Sequence, residues 1–507
     1  MSDSAINVGV VGVGYLGKFH AEKYAASAKA NLVAVVDTDE ARAKEIGASV
    51  GVDSATDYRG LFGRVKCVSI AVPTRFHYQV ARDFIDVGID VLVEKPLTAE
   101  IDEARELVAA AQQKNVILQV GHNTLRLMTA EMENRALTAA ELQTMERLLG
   151  EALAAGAWGL SSGLFTAPGS YADAEEIHAL ARVLRRHGAT YSSHIRDEAN
   201  SVHEAVREAI AVAEATGVHV QIAHLKLSGT DNWGGAVGLL EEIAAARRRG
   251  VPVDCDAYPY DAASNPLRNL FPRWVMDGGI GVMMERLRRP EVRARLRGEI
   301  AHEGLNNFGR IPSWDAVRVA VAPRLPEEAG NTFGQIAQRR GVDPFDAVCD
   351  FVIADRGETR ILVTSMSDKD VHAISSTPWV TVGSDANSLA TSGVTSQGKP
   401  HPRSYGTHAR LLGPFVRDLR LLTLSATVHK TTGAAAAALG LTDRGVLREG
   451  AWADVVVFDP DRIADRATYD EPHRYAVGVS SVVVNGEVVV DAGDHTGALP
   501  GRVLRRS

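Results

Sequence analysis

The apolar positions of this chain come in short runs separated by helical periodicity, the rhythm of a parallel sheet. Ile6 to Val11 is a mostly β-branched apolar run, as expected of a strand buried on both faces. It enters Gly12-Val13-Gly14-Tyr15-Leu16-Gly17, and a helical pattern follows from Lys18 to Ala26. Leu32 to Val36 predicts a second strand, ending at Asp37. Further strands are predicted at Cys67–Val72, Asp90–Val93 and Val116–Val120, with helices at Phe76–Val87 and Glu103–Gln113. This alternation predicts a doubly wound parallel sheet.

After Asn123 the alternation resumes. Thr138 to Ala155 predicts a long helix with Thr138 as N-cap and Glu141 placed for a capping box. Trp158–Leu164, Tyr191–Glu198, Val218–Lys226, Val251–Asp256 and Val380–Ala386 each read as a strand running into a loop. Gly445–Asp459 and Ser480–Val490 predict short strands, with an Asn485-Gly486 hairpin turn.

Composition narrows the picture little. The chain has 507 residues, 23% charged and 45% hydrophobic, which is ordinary for a soluble protein of two or three domains. A net charge of −8 gives no reason to expect nucleic acid or an anionic membrane as partner. No apolar run reaches the ~18 residues of a membrane span. Three widely spaced cysteines suggest a reducing compartment, and the cytoplasm is the expected location.

The glycines carry the first chemistry. Gly12 permits a tight turn, Gly14 admits a pyrophosphate to the backbone, and Gly17 lets helix and strand approach. The N-terminus of the helix that follows offers free N–H groups to phosphate, with Tyr15 and Leu16 of the turn among the expected cofactor-binding residues. Asp37 is placed to accept a ribose diol, which favours NAD over NADP within NAD(P) binding. With Ala71-Val72-Pro73-Thr74, His77 and Glu94-Lys95-Pro96, residues 1–123 resemble the Rossmann NAD(P)-binding domain of the Gfo/Idh/MocA oxidoreductases. The resemblance implies that Glu94 and Lys95 adjoin the nicotinamide and that Lys95 assists proton transfer. A solvated surface lysine is the alternative. The family's substrate-binding sheet is not recognisable after Asn123.

Strand ends carry the second chemistry. In a β/α barrel the C-terminal strand ends share one face. His194, His224 and Asp385 all sit at such ends, and two imidazoles with a carboxylate can hold a divalent metal. From Thr124 onward the chain resembles the N-acyl-D-amino-acid deacylases (D-aminoacylases) of the amidohydrolase superfamily. The matching stretches include Gly159–Gly163, Ser193–Glu198, His224-Leu225-Lys226, Asp256–Tyr260, Gly383–Ala386 and Lys399–Gly406. The resemblance implies zinc on His194 and His224, with Asp385 as general base. It also implies Lys226 and Arg403, with Tyr258 or Tyr260, as the grip on the α-carboxylate of an N-acyl-D-amino acid. A solvated Lys226 and a loop-structural Arg403 remain the alternatives, and His401 receives no role.

The expected architecture is therefore a doubly wound Rossmann sheet (1–123), an incomplete TIM-like amidohydrolase barrel (124–430) and a small β-domain (431–507). The family's His-x-His pair and metal-binding cysteine are absent before His194, and Cys67 reads as a buried small hydrophobe. The barrel should lack its first two strands, expose two strand edges, and bind metal weakly. Both families carry a Val-Gly-His-Asn stretch ending a strand. A recombination or assembly junction within it is the expected origin of the join, which a long DNA read across these codons tests.

Overall fold

The computed structural model describes residues 5–27, 30–93, 120–303, 311–393, 395–502 and 504. The chain divides into two compact units, Met1–Val116 and Ile117–Ser507. The predicted helix at Glu103–Gln113, most of the predicted strand at Val116–Val120, and the Glu94-Lys95-Pro96 motif lie outside the described residues.

The first unit is the predicted doubly wound sheet. Its strands are β1 (Ile6–Val11), β2 (Ala30–Val36), β3 (Asp53–Ala55), β4 (Cys67–Ile70) and β5 (Asp90–Val93). They run parallel in the order β3-β2-β1-β4-β5. Helices α1 (Tyr15–Ala25), α2 (Glu40–Val50) and α3 (His77–Asp86) connect them. The apolar positions of β1 from Val8 to Val11 are explained by cover on both faces. Val8 and Val10 pack with Val35 and Ile46, whereas Val11 packs with Ile70 and Phe84 on the other side. Each such fully buried aliphatic side chain contributes roughly 1.5–3 kcal/mol.

The second unit contains six parallel strands, β6 (Val120–Gly121), β7 (Gly159–Gly163), β8 (Thr190–His194), β9 (His219–Ile222), β10 (Val253–Ala257) and β14 (Thr381–Val382). Their order is β14-β10-β9-β8-β7-β6. Among the described residues β6 and β14 form the two ends of this sheet, so the barrel stays open. The alternation of the first unit predicts that Val120 finishes a strand of the first sheet. Instead Val120 and Gly121 pair with Leu160 and Ser161 of β7. An apolar Val-Gly ending suits either parallel sheet, and the backbone pairing decides between them.

Helices α4 (His122–Ala130), α5 (Ala139–Ala154), α6 (Ala174–Arg186), α7 (Val202–Thr216) and α8 (Ala236–Arg248) alternate with these strands. Their apolar faces close one core around Leu149, Tyr191, Val206, Ile222 and Cys255. The capping box predicted for α5 is complete: the Thr138 hydroxyl accepts from Glu141 N, and Glu141 accepts from Thr138 N.

Between β10 and β14 the chain builds a three-stranded antiparallel sheet that the sequence pattern does not announce. Its strands are β11 (Ala262–Pro266), β12 (Val317–Val321) and β13 (Arg360–Thr364), in the order β11-β13-β12. Ile361 and Val363 face a separate core with Phe333 and Phe351, and the strand period puts Arg360 and Leu362 on the opposite face. The C-terminal strands β15 (Val455–Phe458), β16 (Val479–Val484), β17 (Glu487–Asp491) and β18 (Asp494–His495) form the expected antiparallel sheet. Asn485 and Gly486 both take positive φ, 51° and 86°, as a tight hairpin turn between twisted strands requires.

Candidate metal centre and nucleotide cradle

The second unit gathers most of its predicted chemistry in one cavity of about 410 Å³ at the C-terminal ends of the parallel strands. His194 ends β8. His224 lies two residues beyond the neighbouring β9, in a left-handed conformation with φ 39°. That strained turn is held by Asp256, whose Oδ1 accepts from His224 N at 2.8 Å while its Oδ2 accepts from Gln221 Nε2. The two imidazoles meet with His194 Nδ1 3.0 Å from His224 Nε2.

The third member of the cluster is Glu198, which the sequence pattern does not single out. Its carboxylate lies 3.2 Å from His224 Nδ1 and 3.7 Å from His194 Nε2. One ligand atom from each of His194, Glu198 and His224 falls within 4.8 Å of the others. Two imidazoles and one carboxylate are a donor set that suits a catalytic divalent metal. Burial pulls the His194 imidazole down to about 3 against the opposing Glu198 charge, so the ring is neutral, as a metal ligand must be. Its Nε2 is buried without a hydrogen-bond partner. These residues fit a metal ion.

Lys226 lines the same cavity. Its ammonium is buried, 2.5 Å from Glu198 Oε1 and 2.7 Å from His224 Nδ1. Burial alone would raise the Glu198 carboxyl, but Lys226 and the two histidines outweigh it and hold it well below the usual range. The same pairing raises Lys226 against burial. A buried ammonium needs a counter-charge, and Glu198 supplies it.

Asp385 stands apart from the three-residue cluster but lines the same cavity. It follows β14 with φ 47°, and its Oδ2 accepts from Arg403 Nη2 at 2.8 Å. Arg403 begins the helix Arg403–Arg410 and is nearly buried, and its Nη1 has no partner. Tyr258 places its ring 4.6 Å from the Arg403 guanidinium and 5.4 Å from the Lys226 ammonium. Tyr260, the alternative to Tyr258, does not line the cavity. Its hydroxyl donates to Asp465 Oδ2 at 2.8 Å, although its ring shares a core with that of Tyr258. His401 plays a structural part, in which its Nδ1 accepts from Arg403 N and its Nε2 donates to Ala262 O. Burial keeps that ring neutral, as this pair of bonds requires.

His122, at the join, is fully buried with Nε2 2.7 Å from Glu176 Oε1, and Arg126 pairs with the same carboxylate. It belongs to this internal network. The three cysteines are free, and none joins the metal cluster among the described residues. Burial raises the Cys67 thiol, in keeping with a small apolar role.

In the first unit the glycines behave as their spacing requires. Gly12 has φ 83°, and a Cβ there would meet the Ala71 and Val72 backbone at 2.7 Å. A Cβ on Gly17 would collide with the Gly12 carbonyl, whereas Gly14 faces open space. Gly14 caps α1 without any side-chain hydrogen bond, and the Leu16 side chain is exposed. Asp37 is oriented by Val13 N at 2.9 Å and Asp39 N at 3.0 Å. An open glycine before an uncapped helix N-terminus fits a dinucleotide pyrophosphate.

Comparison with known proteins agrees with this geometry. The profile described as "Oxidoreductase family, NAD-binding Rossmann fold" matches residues 6–122, and that described as "Amidohydrolase family" matches residues 85–490. The two overlap across the join. The chain is 36% identical to N-acyl-D-glutamate deacylase of Alcaligenes xylosoxydans xylosoxydans over 424 residues, covering 83% of this chain and 75% of that protein. Residues of the first unit resemble UDP-N-acetylglucosamine 3-dehydrogenase of Acidithiobacillus ferrooxidans, at 38% identity over 117 residues, 23% of this chain and 37% of the relative. Among solved structures, N-acyl-D-glutamate deacylase from Bordetella bronchiseptica, complexed with zinc and a phosphonate inhibitor, aligns with TM-score 0.64 and 33% identity. That alignment covers 87% of this chain and 83% of the other. The chain is a two-part protein that belongs to the amidohydrolase family and carries a Gfo/Idh/MocA-type NAD-binding domain at its N-terminus.

Proposed function

We propose that the second unit is a zinc-dependent hydrolase of the amide bond in N-acyl-D-amino acids. The observation that carries this reading is the convergence of His194, Glu198 and His224 in the cavity that Asp385 and Arg403 also line. His194 and His224 would hold zinc, with Glu198 as third ligand. Bound zinc would supply Lewis acidity to the scissile carbonyl and lower the pKa of attacking water. Asp385 takes the proton from that water and returns it to the leaving nitrogen. Arg403 orients Asp385 through Nη2 and keeps Nη1 free for the substrate α-carboxylate. Lys226 positions Glu198 and His224 and does not touch substrate.

Zinc affinity should be weak, because among the described residues only His194, Glu198 and His224 converge as donors. Purified chain loaded with zinc should bind one ion near His194 and release free D-amino acid from N-acetyl-D-amino acids. Loaded protein that releases none would refute the hydrolase.

The open Gly14 favours a second, separate property: dinucleotide binding by the first unit. Asp37 would take the ribose diol, so NAD should bind more tightly than NADP. Glu94 and Lys95 would adjoin the nicotinamide, and Lys95 would handle a proton if an alcohol reached it. Quenching of protein fluorescence by NAD, weakened in Asp37→Ala, supports this. Equal affinity for NADP would refute the preference. The three free thiols suit a reducing cytoplasm, and no described helix is long and apolar enough to cross a membrane.

A further inference from the structure

The candidate catalytic cavity contains a cation with no hydrogen-bonded or ion-paired counter-charge among the described residues. Glu198 pairs with Lys226, and Asp385 pairs with Arg403. That leaves Arg360 on the cavity wall. It opens β13, the central strand of the antiparallel sheet, opposite Pro266 on β11 and Val321 on β12. Strand alternation sends Ile361 into the core and Arg360 to the cavity face. Its guanidinium has no hydrogen-bond or ion-pair partner among the described residues, and it is partly buried. Burial and the charges of Arg403 and Arg268 disfavour its ionised form, and Asp385 opposes them. An arginine cannot escape by losing its proton, so the folded protein keeps an under-compensated charge there.

We propose that Arg360 is a specificity-determining residue that binds a carboxylate on the substrate side chain. On the reading of the second unit as a deacylase, this makes the preferred substrates N-acyl derivatives of acidic D-amino acids. The two guanidinium groups divide the work. Arg403, beside Asp385, takes the α-carboxylate, and Arg360, on the opposing wall sheet, takes the second carboxylate through its planar fork. Ser264 and Asn265 of β11 line the same wall and have no side-chain hydrogen bond of their own among the described residues, so they can complete the carboxylate's shell. A neutral side chain in the same place would leave the guanidinium desolvated and unpaired, and that penalty supplies the discrimination.

The test uses the full chain loaded with zinc, and N-acetyl-D-glutamate against N-acetyl-D-leucine. The wild-type protein should prefer the glutamate derivative. Arg360→Met should lower kcat/KM for that substrate about 100-fold more than for the leucine derivative, mostly through KM. Arg360→Lys should recover part of the difference, and it serves as the probe if the methionine variant does not fold. Parallel losses on both substrates, or a wild-type preference for leucine, would overturn the proposal. Calorimetric binding of the two compounds separates this inference from the deacylase reading. If neither compound is hydrolysed, the reading fails, yet tighter binding of N-acetyl-D-glutamate that depends on Arg360 still supports the assignment. Equal binding of the two, or none, overturns it.

Discussion

The nucleotide cradle and the candidate metal centre are built from different parts of the chain's chemistry. The cradle is made of backbone. Gly12, Gly14, Gly17 and the first turn of α1 lie within six residues of sequence, and the strand that feeds them is intact. The metal centre is made of side chains from β8, the turn after β9, the loop after β14 and the helix at Arg403. Such a site depends on every element that carries a donor, whereas a backbone cradle depends on one local segment. Glu198 supplies the third donor of the cluster from the loop after β8.

Removing one imidazole should widen this contrast most. His224→Ala is expected to lower D-amino-acid release by on the order of 10³-fold and to abolish zinc in metal analysis, because two donors rarely hold zinc. NAD binding by the same variant should be unaltered. A smaller effect is expected from Glu198→Gln. It leaves the buried Lys226 ammonium without its counter-charge and should cost roughly 3 kcal/mol in urea unfolding of the second unit. Unchanged stability would mean that Lys226 finds another partner.

The mirror experiment lies in the backbone site. In Gly17→Ala the new methyl group meets the Gly12 carbonyl, so strand and helix must separate. Overpacking of this kind costs about 2 kcal/mol. Calorimetry should show the loss in the first unit's transition, together with weaker NAD binding and unaltered zinc content. A fall in zinc content would mean that the two units do not behave independently.

The same distinction explains what the sequence discloses. Gly12 to Gly17 followed by Asp37 can be read because turn, helix and acid are fixed by local geometry. The capping box at Thr138 and the Asn485-Gly486 turn are legible for the same reason. His194, His224 and Asp385 are legible as strand ends, and their cavity is formed. Glu198 is not, although it stands four residues after His194, because its role depends on how a loop folds back. Arg360 is hidden because β13 pairs with β11 across about a hundred residues and with β12 across about forty, and no local period announces such a sheet. Tyr258 and Tyr260 cannot be separated by residue type: both lie in the irregular segment after β10, where one lines the cavity and the other reaches Asp465.

The smallest effect concerns a charge that fixes the β14 side of the metal site. Lys430 is buried, and its ammonium donates to the carbonyls of Ser375 and Thr377 at the end of the helix Asp368–Ser376. Thr377 leads into β14 and on to Asp385. Cations suit a helix C-terminus, but burial here pulls Lys430 down to about 8. From about pH 8 up to the ordinary lysine range the unfolded chain keeps this proton while the folded chain sheds it. Raising the pH through that window therefore favours folding. Relative to Lys430→Met, the wild-type second unit should gain about 1 kcal/mol between pH 8 and 9 in urea unfolding. The first unit's transition should show no such difference between the two proteins. A gain that ran the other way, increasing as the pH fell, would mean that the Ser375 and Thr377 carbonyls stabilise the ammonium more than burial opposes it.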